Sequence, residues 1–222
     1  MRLISRLSEL LFPPKCVLCG EVLERQELDL CRQCRAEAPV YPKPRNSRPF
    51  LDGWTALWYY DGPVRRSLLR FKFHNARSNA SAYGRLLAMK IREDLEEDFE
   101  LLTWIPVSSF RRFCRGYDQV ELLAQAGGRE LEMEPVRLLK KVRNNRPQSR
   151  IRGEAQRRAN VLGVYRVVDR ESVAGKRILL LDDIITTGAT SAEAARVLLT
   201  AGAKEVYCAA VAAANHHKKT SR

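Results

Sequence analysis

The stretch Ile178-Leu179-Leu180-Leu181-Asp182-Asp183-Ile184-Ile185-Thr186-Thr187-Gly188-Ala189-Thr190 constrains this chain more than any other. Four apolar residues in a row suit a strand buried on both faces, and the two carboxylates are expected to end it at Leu181. From Ser191 to Thr200 Ala and Leu dominate, which predicts a helix. A loop between a buried strand's C-terminal end and a helix start is suited to an anion. The unpaired N–H groups of the first turn face it, the helix dipole favours negative charge, and Thr186, Thr187 and Thr190 add hydroxyl donors. Gly188 lets the backbone come close, so Thr186, Thr187, Gly188, Ala189 and Thr190 form the expected phosphate cradle.

Asp182 and Asp183 narrow the ligand, because a plain phosphate cradle has no use for two negative charges beside its own anion. They need hydroxyls or a cation. A ribose 5-phosphate meets both needs: its hydroxyls donate to the carboxylates, its phosphate enters the loop, and Mg²⁺ bridges a neighbouring pyrophosphate. The competing reading is an ordinary strand–turn–helix with exposed Asp and Thr, but such turns rarely follow Asp-Asp on a buried strand. At every position the stretch resembles the signature with which type I phosphoribosyltransferases bind 5-phosphoribosyl 1-pyrophosphate (PRPP).

The chain has 222 residues, room for one domain of common size and a small module. Lys and Arg outnumber Asp and Glu by 39 to 26, a formal charge of +13 that favours phosphate-bearing ligands, nucleic acid or an acidic surface without choosing among them. No apolar stretch approaches the ~20 residues that span a bilayer, and Leu3 to Phe12 is too interrupted for a signal peptide, so a cytoplasmic protein is expected. Leu3, Leu7, Leu10 and Leu11 share one stripe of an amphipathic helix over residues 1–12, which suits its own protein better than a membrane or a partner.

Cys16, Cys19, Cys31 and Cys34 follow the pattern C-x2-C-x11-C-x2-C. Two knuckles each offer a thiolate pair to a tetrahedral ion, so residues 13–35 are expected to form a closed, structural Zn²⁺ site serving as a docking module. Disulfides compete, but the close pairs and the missing secretion signal argue against them. Cys114 and Cys208 read as plain buried thiols and not as nucleophiles, although Arg112 and Arg115 lie close to the first in the chain.

Residues 36–50 carry Pro39, Pro42, Pro44 and Pro49, linker composition, and the main domain is expected over 51–214. Strands are predicted at 54–60, 101–107, 136–139, 164–168, 178–181 and 206–213, and helices at 64–73, 80–95 and 117–130. This alternation implies an α/β fold, a parallel sheet flanked by helices, before a frayed basic tail over 215–222.

Two further clusters are basic. Residues 107–119 concentrate Arg111, Arg112 and Arg115 on a loop after a strand, at the sheet edge where ligands bind. Either this is a solvated turn, or Ser108, Arg111 and Arg115 grip pyrophosphate. Between Arg137 and Arg158 nine basic residues face the single acid Glu154. Arg143, Arg146 and Arg157 then belong to a lid over pyrophosphate, to a groove for a nucleic-acid backbone, or to a solvated loop.

Together these blocks resemble the ComF family, competence-associated relatives of the phosphoribosyltransferases, over nearly the whole chain. The match includes the Cys pairs, the Asp-Asp loop, Tyr60-Asp61-Gly62-Pro63-Val64-Arg65 with Lys72-Phe73, and Pro106-Val107 with Arg115-Gly116-Tyr117-Asp118-Gln119. It continues through Arg143, Gln148, Arg157-Arg158-Ala159-Asn160 and Gly163-Val164-Tyr165. Asp118 replaces the family's usual Asn, and Gly163-Val164-Tyr165 a Gly-Ala-Phe run. The resemblance implies a type I phosphoribosyltransferase core, with its PRPP site, behind an N-terminal zinc module, in proteins linked to DNA uptake during natural transformation.

Two functions follow. A PRPP-dependent enzyme would use Asp182 and Asp183 as its catalytic carboxylates, with Mg²⁺ on the pyrophosphate. A DNA-handling accessory would bind single-stranded DNA on its basic face, with Phe71, Phe73, Phe110, Phe113 and Tyr117 as stacking candidates and the zinc module docking a DNA-uptake helicase. A combined reading, a PRPP-type site in a protein of DNA uptake, is favoured because simple base salvage needs neither the zinc module nor the basic excess.

Overall fold

A computed structural model describes residues 13–143 and 154–215, and the side chains of residues 154, 155, 157 and 158 are not described. The helix expected over 1–12, Arg146 and residues 216–222 of the tail lie outside the described residues.

The main sheet is parallel and four-stranded, in the order β1 (Gly53–Tyr59), β6 (Glu205–Ala213), β5 (Arg177–Ile185) and β2 (Leu101–Trp104). The two central strands are buried almost end to end, as their unbroken apolar runs require between two helical layers. Their side chains alternate between two cores. Leu179 and Leu181 of β5 face a layer made by α2 (Gly62–Phe73), α3 (Asn79–Asp94) and α5 (Gln119–Leu131). Ile178 and Leu180 face the opposite layer, which holds α7 (Ala189–Thr200) and the short strands β3 (Leu139–Lys141) and β4 (Tyr165–Val167). Gly84 lets α3 and α5 touch: a β-carbon there would stand 2.6 Å from the backbone of Ala126.

Three expectations need correction. β5 does not end at Leu181 but carries both aspartates and runs to Ile185, because its pairing with β6 continues to Ala213. The arginine-rich segment after β2 is a helix, α4 (Ser109–Arg115), capped by the Ser108 hydroxyl and closed by Gly116 at φ 75°. The strand expected over 136–139 lies at β3, and β4 does not join the parallel sheet; the two pair antiparallel. Their alternating burial suits strands with one covered face, unlike the central pair.

The N-terminal module, which includes α1 (Arg32–Glu37), is packed into the main core. Val17 and Leu18, 2% and 1% exposed, share a cluster with Trp58, Leu68, Phe71 and Tyr83. The carbonyl of Val17 accepts the Ser67 hydroxyl, and that of Leu18 accepts Arg70 Nη2 at 2.7 Å, both from α2. Asp29 pairs with Arg85 of α3. The proline-rich segment also packs. Tyr59 N–H donates to Pro39 at 2.7 Å and Tyr41 N–H to Leu57 at 2.9 Å, which covers the outer edge of β1. No helix among the described residues is long and apolar enough to cross a membrane.

Candidate functional site

A cleft of about 970 Å³ opens over the C-terminal ends of the parallel strands, where ligands bind in sheets of this kind. Its floor is β5. Because successive strand residues point to opposite faces, the two aspartates divide between the layers. Asp183 follows Leu181 towards the helices. Its Oδ1 takes Lys72 Nζ of α2 at 2.9 Å, and its Oδ2 takes Gln119 Nε2 of α5 at 2.7 Å. Asp182 points to the other layer, towards Tyr165 and Lys141, which also line the cleft.

The electrostatics differ accordingly. Burial, then the charge of Asp183, pushes the Asp182 carboxyl up to about 8, against the pull of Lys72. Burial and the repulsion of Arg111 pull the Lys141 ammonium down to about 8. Burial likewise lowers Arg111, helped by Arg115. Cations brought together at one mouth at this cost favour an anionic guest, which would restore the charged forms.

Beyond β5, Gly188 adopts φ 80° and opens α7. Thr186 and Thr190 line the cleft, Thr187 Oγ1 accepts the Ala189 N–H at 3.4 Å, and Ala189 is buried. A β-carbon on Gly188 would collide with the guanidinium of Arg48, which reaches over from the proline-rich segment and stacks on Trp54 at 4.0 Å.

Thus Asp182, Asp183, Thr186, Thr190, Arg111 and Arg115 share one cleft. Ser108 does not line it; it is buried, and its hydroxyl accepts the Arg111 N–H at 3.3 Å as the cap of α4. Arg143 is exposed just past β3 and is not part of the lining, and Arg157 belongs to α6 (Glu154–Val161) with its side chain undescribed. Sequence reasoning gave no role to Lys72, Gln119, Lys141, Tyr165 or Arg48. Lys72 and Asp183 are 111 residues apart, a separation no local pattern bridges. Cys114 is exposed at the cleft, against the expectation of a buried thiol, whereas Cys208 is buried.

The four N-terminal cysteines converge. Their sulfurs lie within 4.8 Å of one another, and those of Cys19 and Cys31 are 3.7 Å apart. Four thiolates around Zn²⁺ at about 2.3 Å stand about 3.8 Å from each other. The Cys34 N–H donates to Cys31 Sγ at 3.4 Å, as a thiolate ligand favours. The donor set fits a structural zinc.

Comparison with known proteins agrees with both halves. The phosphoribosyl transferase domain matches residues 130–222 and the double zinc ribbon domain residues 7–46. Competence protein F of Haemophilus influenzae is 27% identical over 200 residues, covering 87% of this chain and 82% of that protein. The DNA utilization protein YhgH of Salmonella typhimurium is 28% identical over 204 residues, 87% of this chain and 88% of that one. Competence protein ComFC of Bacillus subtilis is 28% identical over 189 residues, 84% and 72% of the two chains.

Proposed function

Since this chain is a homologue of competence proteins F and ComFC, joining a double zinc ribbon to a phosphoribosyltransferase domain, we propose that it binds a PRPP-type ribose phosphate in its cleft and acts in DNA uptake. One observation carries the reading: β5 delivers two buried carboxylates to the cleft floor and turns at once, through Thr186 to Thr190, into the start of α7. The ribose hydroxyls would meet Asp182 and Asp183, and the 5-phosphate the first turn of α7. Arg111 and Arg115 would take the pyrophosphate. Mg²⁺ would supply charge neutralisation there. Lys72 and Gln119 already occupy both oxygens of Asp183 and burial favours protonated Asp182, so the doublet is no ready-made cation cage. The cation would arrive with its pyrophosphate.

Calorimetry with PRPP and Mg²⁺ tests this. The wild type should bind, and D182N with D183N should lose at least tenfold in affinity; equal affinities would remove the doublet from the site. Release of pyrophosphate on adding candidate nitrogen nucleophiles separates an active transferase from a protein that only binds.

Exposed aromatics favour a second role beside the first. Phe73, Phe110 and Phe113 are 60%, 68% and 87% exposed, and Arg115 lies 4.8 Å from the Phe73 ring, whereas Phe71 and Tyr117 are buried. Rings interleaved with arginines suit stacking by single-stranded DNA. Binding of a short oligonucleotide should weaken steeply with salt, less so in R143A and R146A, and compete with PRPP; a flat salt response would exclude it.

A further inference from the structure

We infer that Gln119 is a positioning residue that locks Asp183 and Arg115 into one unit, so that the carboxylate serving the sugar and the guanidinium serving the leaving group are set together. The inference deepens the reading of the cleft given above and rests on it for the identity of the ligand.

Gln119 opens α5, is 3% exposed, and lies between the end of α4 and the floor strand. Its Nε2 donates to Asp183 Oδ2 at 2.7 Å, and its Oε1 accepts from Arg115 Nη1 at 2.7 Å. A carboxylate only accepts and a guanidinium only donates, so an amide between them has a single workable orientation. Turned over, it would set nitrogen against nitrogen and oxygen against oxygen.

The chain builds this meeting locally. Arg115 ends α4, Gly116 turns at φ 75°, and Asp118 caps α5 by accepting the N–H groups of Val120 and Glu121. Between them, the Tyr117 hydroxyl donates to the carbonyl of Phe71, which ties the turn to α2. Lys72, next to Phe71, holds the other oxygen of Asp183. Two helices therefore meet on one carboxylate, and α4 joins them through the bond of Arg115 to Gln119.

A neutral amide suits the task better than a direct ion pair. Arg115 spends one N–H on Gln119 and keeps the others for an anion, while each oxygen of Asp183 retains a lone pair for a hydroxyl. Glutamate at 119 would add a third carboxylate to the doublet. Methionine would fill similar volume with neither bond.

The test begins without ligand, on the full-length isotope-labelled protein. The side-chain NH₂ resonances of Gln119, assigned by their loss in Q119M, should be displaced by the bond to Asp183 and should move in R115Q, which does not touch Asp183. Resonances at the solvent-exposed position, or indifferent to R115Q, overturn the inference whatever the ligand is. Calorimetry with ribose 5-phosphate and, separately, magnesium pyrophosphate follows. Q119M should weaken both about tenfold, the loss of one charge-assisted bond on each side. R115Q and D183N should be non-additive in the wild-type background and additive in Q119M; additivity in both defeats the relay. If Q119M does not fold, Q119E carries the test: it keeps the acceptor for Arg115, so ribose 5-phosphate should suffer more than pyrophosphate, and an equal loss refutes the inference. A wild type that binds neither ligand would end the PRPP reading, while the resonances would still decide on Gln119.

Discussion

Asp182 and Asp183 are chemically identical neighbours, yet strand alternation gives them opposite tasks. Asp183 is clamped by a cation and an amide, while Asp182 is buried with its carboxyl pushed up to about 8. A raised folded-state value means that the native protein holds a proton which the unfolded chain releases near pH 4, so the associated stability is full below that pH and is lost as pH rises towards 8. The slope is at most about 1.4 kcal/mol per pH unit. Lys141, lowered to about 8, stays charged in both states below that pH and adds no slope in the window. Thermal melting from pH 5 to 8 should therefore fall in the wild type and stay nearly level in D182N; parallel curves would show that Asp182 is ionised throughout. Asp118 presents a separate case. The acid looked unfavourable for an anion site, but its oxygens accept the N–H groups of Val107, Val120 and Glu121, at 3.0, 3.0 and 3.3 Å. D118A should cost about 1–2 kcal/mol in denaturant unfolding, and D118N less, since its single oxygen still caps α5. Equal losses would deny the cap its importance.

At the scale of elements, the loop proposed to take the phosphate depends on a segment that looked like a tether. Gly188 holds φ 80°, and Arg48 fills the space beside it. G188A should cost about 1–2 kcal/mol from the left-handed backbone alone, and more from the collision with Arg48. The double variant R48A/G188A should recover the second part but not the first; no recovery would show that the two do not press on each other. The legibility of the elements follows the range of the forces that make them. β1, β5, β6 and the helices between them were readable because apolar periodicity is local. So was the strand–carboxylate–threonine-loop sequence, since strand, turn and helix start are contiguous in the chain. The end of β5 was not: polar residues at 182 and 183 looked like a stop, and only the partner strand β6 keeps them extended. β3 and β4 escaped assignment to their own antiparallel pair because such short strands are defined by each other. Lys72 sits on the cleft side of α2 beside Arg65, and Gln119 at the start of α5, and neither residue reveals in the sequence that its partner comes from a distant strand.

Across the whole molecule, α2 joins the zinc ribbon to the cleft. Its inward residues Val64, Ser67, Leu68 and Phe71 recur at helical spacing, so one stripe packs on the ribbon and the core while Arg65, Leu69, Lys72 and Phe73 line the cleft. Ser67 and Arg70 hold the carbonyls of Val17 and Leu18, in the loop between the first two cysteines, and Lys72 lies half a turn further on. The ion would therefore do more than fold a small module: it would fix the knuckle against which α2 is registered. Stripping zinc with a chelator, or the variant C16S/C19S, should lower the melting temperature and weaken PRPP binding about tenfold or more, although no cysteine of the ribbon lines the cleft. S67A and R70M should give smaller losses in the same direction with the metal still bound, as measured by zinc content. If the metal-free protein kept its affinity while melting lower, the ribbon would stabilise the fold without setting the position of Lys72. If S67A and R70M weakened binding with zinc content and melting unchanged, α2 itself would be the element that carries the ribbon's influence to Asp183.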